Sequence, residues 1–147
     1  ARVEKHPELA NLDTVVVKLR LTDTLKGSAQ GIFTFRQFIW DLRDRQDAAG
    51  YRKGQDLLLL MIAPNRYGLS SPAGLEQGRF RIERDRGGRT MAVNGAGNFK
   101  LFEGLDASTK TAASLSSRQA SLIAKHRKGP VEAAELTAMI RAFAGND

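Results

Sequence analysis

Tyr51–Ile82, YRKGQDLLLLMIAPNRYGLSSPAGLEQGRFRI, is the stretch whose reading decides the fold. At its heart Leu57 to Ile62 run LLLLMI, six apolar residues opened by Lys53-Gly54 and closed by Pro64-Asn65. A short apolar run bounded by turn residues predicts a strand buried on both faces. A helix over those positions would be short, and Gly54 and Pro64 would stop it at both ends. After a loop rich in Gly, Pro and Ser, Arg79–Arg84 supplies a second strand. Phe80 and Ile82 alternate inward there, with Arg79, Arg81 and Glu83 outward.

Working outward from this stretch, Thr14–Leu21 (TVVVKLRL) alternates with period two and predicts a half-buried strand. Ile32–Trp40 (IFTFRQFIW) is rich in aromatic and β-branched residues and predicts its antiparallel partner across a Lys26-Gly27-Ser28 turn. Asp41–Gly50 reads as a charged loop with room for one helical turn. Arg89–Val93 pairs back after the Asp85–Gly88 turn, and Phe99–Phe102 forms a last short strand. Residues 1–13 are expected to be an arm, 14–105 a barrel domain, and 106–130 a basic Ser/Ala-rich linker. Residues 131–144 should be an amphipathic helix, with Leu136, Met139, Ile140 and Phe143 on one stripe. The expected fold is mainly β, a small OB-like antiparallel barrel with a C-terminal helix, in a single domain.

At 147 residues the chain is long enough for one core without staples. It has no cysteine, which excludes disulfides, thiolate metal sites and a cysteine nucleophile. No apolar run approaches the roughly 20 residues of a membrane helix. The first residue, Ala1, is compatible with a processed N-terminus or a trimmed chain. Net charge is +7, from 23 basic and 16 acidic residues. Between Ala107 and Val131 there are five basic residues and no acid. Such a balance favours anionic partners, with plain solubility as the competing explanation.

Three signals then point to a family. A strand runs into Leu25-Lys26-Gly27. Tyr51-x-x-Gly54-x-Asp56 leads into an apolar strand, and Gly74-Leu75-Glu76-Gln77-Gly78-Arg79-Phe80 follows. Residues 14–102 resemble a group of uncharacterised bacterial exported proteins. More distantly they are similar to netrin-like modules, the OB-type barrels of tissue inhibitors of metalloproteinases. The resemblance implies a barrel and an extracytoplasmic location: periplasmic, cell-surface or secreted. It implies no active site. Those inhibitors chelate the protease metal through an N-terminal cysteine, which this chain lacks.

Chemistry-bearing patterns are sparse. His6 and His126 stand far apart without a second ligand at metal spacing, so neither a metal nor a cofactor is expected. Neither a nucleophile elbow nor a phosphate loop occurs. Asn94–Asn98 (NGAGN) reads as a turn, with anion cradling as the weaker alternative. With no nucleophile or base nominated, the expected function is non-enzymatic. It is a binding or assembly domain making protein–protein contacts, self-association included, through Val17, Leu19, Leu136, Ile140 and Phe143. Strand Thr14–Leu21 would serve this role if it lay at a sheet edge. The alternative is an anionic polymer, single-stranded nucleic acid or acidic glycan, clamped by Arg36, Arg79, Arg81 and Arg84, with Phe38 and Trp40 stacking. Against that stands a plain reading in which those aromatics are core and the arginines pair with Glu76, Glu83 and Asp85.

Overall fold

The computed structural model describes residues 1–103, 105 and 115–144. Strands β1 (Arg2–Lys5), β2 (Asp13–Arg20) and β3 (Ile32–Phe38) form one antiparallel sheet in the order β1-β2-β3. A short helix, α1 (Leu42–Asp47), and a 3-10 turn (Ala48–Gly50) follow. The second antiparallel sheet has the order β4 (Leu57–Leu59), β5 (Arg79–Arg84), β6 (Thr90–Asn94) and β7 (Val131–Glu132). Helices α2 (Ser117–Lys125) and α3 (Ala133–Ala144) pack on that second sheet.

The apolar run divides between two cores, because successive strand residues face opposite ways. Leu57 and Leu59 join Val15, Val17, Phe35 and Tyr51 between the sheets. Leu58 joins Phe80, Ala92, Ile123, Val131, Leu136 and Met139 between the second sheet and the helices. The expectation of burial on both faces therefore holds for 57–59. It ends there, since Leu60 and Ile62 are exposed. From Leu60 the chain forms a hairpin that links the sheets. Leu60 N–H donates to Gly78 O at 2.8 Å, Ala73 N–H to Leu60 O at 2.7 Å, and Ser70 N–H to Arg36 O at 2.8 Å on the edge of β3.

The chain is mainly β with a C-terminal helix, but its described strands make two sheets and no closed barrel. Strand β1 pairs only with β2, and β7 only with β6, among the described residues. β7 runs for two residues before α3 begins, too few to carry the sheet round to β1.

Other local expectations change as well. The N-terminal arm holds β1, whose Val3 packs on the inter-sheet core. The Asp41–Gly50 loop is largely helical, with Asp41 capping α1 by accepting the Asp44 N–H. Phe99–Phe102 lies in turns and not in a strand. Part of the supposed linker is α2, opened by a capping box in which Ser116 and Gln119 satisfy each other's backbone amides. Residues 106–114 lie outside the described residues. Arg118 ties α2 to β7 through Glu132 at 3.1 Å and to α3 through Glu135 at 3.5 Å.

Candidate protein-binding surface

The residues expected to drive assembly pack into the two cores. Strand β2 lies between β1 and β3, so it is not an edge, and Val17 is only 2 % exposed. Leu19 packs against the inter-sheet core. Leu136 is buried, and Ile140 and Phe143 pack on the same cluster, so the stripe of α3 is spent on its own sheet. Val17 and Leu136 are fully committed to the fold, while Leu19, Ile140 and Phe143 are half-buried and packed against the two cores.

The expected arginine face is also divided. Arg79 lies over the Tyr51 ring, 3.7 Å from its centroid, and donates to Ala49 O at 2.5 Å and Gly50 O at 2.7 Å. Arg36 sits on the other sheet. It bonds the Glu4 carboxylate at 2.6 Å and Thr14 Oγ1 at 2.7 Å. Both guanidinium groups thus have internal partners and do not face a ligand together. Arg81 and Arg84 are exposed, on opposite faces of β5. Asp85 pairs with Arg89, as the plain reading expected of its acid; the Arg89 backbone N–H beside it, more than the guanidinium, holds its carboxyl below the ordinary value. The NGAGN loop is a turn. Asn94 and Asn98 exchange backbone amides and side-chain oxygens at 2.8 Å, and Asn98 Nδ2 donates to Ala92 O and Gly129 O. Its amides are consumed internally: Gly95 N–H on Glu76 O, Ala96 N–H on Asn94 Oδ1, Gly97 N–H on Asn94 O.

Of the large apolar residues left exposed, Ile32, Leu60, Ile62 and Phe99 are scattered, and three fall together in sequence at the end of β3 and the start of α1. Phe38 is 37 % exposed, Trp40 66 % and Leu42 73 %. The two rings meet edge-on at 5.1 Å. This excludes the reading of Phe38 and Trp40 as core. The Trp40 N–H donates to the Asp44 carboxylate at 3.3 Å, which fixes the backbone where β3 turns into α1. Leu42 carried a faint sequence signal, a lone large apolar residue within DLRDRQD.

Farther along the same outer face lies a cavity of about 280 Å³, lined by Val16, Thr34, Arg36, Ile62, Pro64 and Ser70 among others. Residues 62–70 form its far wall. Asn65 Oδ1 accepts the N–H groups of Tyr67 and Leu69, and Ser70 Oγ donates to Ile62 O at 2.6 Å. Buried His6 pins the loop to the end of β1. Its Nε2 donates to Tyr67 O at 2.7 Å, while Nδ1 accepts from the backbone of Glu8 and Leu9. Those partners require the neutral ring with its proton on Nε2. Among the described residues no group of three or more His, Cys, Asp or Glu stands where it could hold a metal ion, and no helix is long and apolar enough to cross a membrane.

No protein-family model, curated protein or solved structure matches the chain.

Proposed function

We propose that the chain is a non-enzymatic, exported binding domain working through protein–protein contacts, self-association among them. The observation that carries this reading is the exposed Phe38–Trp40 ring pair, with exposed Leu42 two residues further along the chain. Exposed aromatic side chains, Trp above all, are the usual anchors of a protein contact. Covering them gains about 25 cal/mol per Å² of apolar surface removed from water. Export and the netrin-like, OB-type relationship belong to the same proposal. They rest on the Leu25-Lys26-Gly27 and Tyr51-x-x-Gly54-x-Asp56 signals.

Light scattering behind size exclusion, at low and high salt, tests the reading. The wild-type chain is expected to form an oligomer that resists salt. Trp40→Ser should be monomeric with unchanged melting temperature, since a side chain this exposed contributes little to the fold. A wild-type chain that is monomeric at both salts overturns self-association. The anionic-polymer reading stands second. Exposed Arg81 and Arg84 favour it, neither with an ion-pair partner among the described residues. It predicts binding of single-stranded nucleic acid or acidic glycan that falls steeply with salt.

A further inference from the structure

We propose that the free edge of β3, together with the cavity beside residues 62–70, captures an extended acidic peptide by strand addition. This inference rests on the reading of the domain as a protein-contact module.

The edge follows from the ladder. Residues facing one another in an antiparallel pair alternate between exchanging both hydrogen bonds and exchanging none. Arg36 faces Val16, yet its carbonyl accepts from Ser70 N–H, on the side away from β2. The Leu21 N–H donates to Gly31 O at 2.8 Å, which sets the same phase at the other end of the strand. Thr34 and Ile32 share the phase of Arg36, so their N–H and C=O groups also point away from β2. Ser70 takes the Arg36 position. Among the described residues nothing pairs with the outward backbone of Thr34 or Ile32. An edge of unpaired N–H and C=O groups is a template for another strand.

The cavity and the charges specify the occupant. A strand added about 4.8 Å beyond β3 would turn alternate side chains toward this outer face. One of them meets the space between Val16, Ile62 and Pro64, which suits a Val-sized apolar group. The registers place Arg2, Lys18, Arg20 and Arg36 on the same face, with Glu4 as the one carboxylate among those strand positions. Arg36 and Arg2 already occupy Glu4. Lys18 and Arg20 are exposed and have no ion-pair partner among the described residues. Arg66, at the tip of the 62–70 loop, adds another exposed cation. An acidic strand with one central apolar residue complements that surface.

The test is fluorescence anisotropy of the full chain with two labelled, end-blocked synthetic peptides, Glu-Thr-Val-Thr-Glu and Lys-Thr-Val-Thr-Lys. The acidic peptide is expected to saturate below about 1 mM and to bind about tenfold more tightly than the basic one. Thr34→Pro removes only an outward donor at a strand edge, where proline is tolerated, and should weaken binding about tenfold. Ile62→Asn alters the exposed cavity wall and should do the same; it keeps the test decisive if the proline variant fails to fold. Equal affinity for the two peptides, unchanged affinity of both variants, or no saturation by about 1 mM overturns the proposal. A chain that self-associates through Trp40 while ignoring the peptide loses this groove alone. Failure of both measurements removes the protein-contact reading as well.

Discussion

Arg79 shows how one side chain can be misassigned by charge alone. Ala48, Ala49 and Gly50 have φ of 52°, 57° and 77°, all in the left-handed region. Such a conformation costs a non-glycine residue about 1–2 kcal/mol. The Arg79 fork holds this segment by binding the Ala49 and Gly50 carbonyls while its plane covers Tyr51. Arg79→Ala should therefore destabilise the chain by about 2 kcal/mol in urea unfolding. Arg79→Lys should lose much of the same amount, because an ammonium cannot span both carbonyls. Ala49→Gly should stabilise by up to about 1 kcal/mol, by relieving the strained φ.

Glu4 carries a pH signature. Arg36 first, and Arg2 second, hold its carboxyl below the ordinary 4.5. A depressed folded-state value contributes stability that is complete above the unfolded value, about pH 4.5, and is lost as pH falls through the lower folded value. Glu4→Gln should be less stable than wild type at about pH 7, and the gap should shrink at about pH 3. Urea midpoints at the two pH values check the sign.

At the scale of elements, the hairpin Leu60–Ala73 is the join between the sheets, and Gly78 is where the chain passes closest. A Cβ on Gly78 would lie 2.6 Å from Ala73 O and 2.8 Å from Ala73 N, both backbone atoms that cannot step aside. Gly78→Ala should cost about 3 kcal/mol, read as a shift in the denaturation midpoint, whereas alanine at open Gly54 meets only its own φ strain.

β2, β5 and α3 lie where alternation or the i, i+3, i+4, i+7 stripe places them, β3 where aromatic and β-branched composition does, and β6 where the Asp85–Gly88 turn sends the chain back. β1 was missed because four residues, RVEK, show hardly any alternation and become a strand by pairing with β2. α2 lies in a stretch whose Ser/Ala-rich composition reads as a linker, helical in part at most. The decisive cue was local, the Ser116–Gln119 capping spacing. Phe99–Phe102 was misread because two aromatic residues suggested a strand, whereas Asn98 and Lys100 adopt positive φ and break extension.

Across the whole molecule, the candidate site was the least legible feature, for a topological reason. The residues that sequence pattern singles out lie on an apolar strand, an apolar helix stripe and arginine-bearing strands. Those are also the residues that a fold buries, or engages with its own carbonyls and carboxylates, as Val17, Leu136, Arg36 and Arg79 show. A contact surface consists of what remains after the core is satisfied. Only the pairing of β3 with β2 on one side reveals that Thr34 has an open edge, and only the turn into α1 reveals that Trp40 and Leu42 stand outside. Tyr51, by contrast, is interior at every level. Burial raises its hydroxyl above the ordinary value of 10.0 despite the opposing Arg79 charge.

The proposed protein contact runs along the outer side of β3 and its continuation into α1. Hydrogen–deuterium exchange on the intact chain, at a dilute and a concentrated condition, tests it most directly. Added protection at high concentration is expected within residues 32–42, abolished by Trp40→Ser. Protection gained only in residues 131–144, or association that leaves 32–42 unchanged, would contradict it.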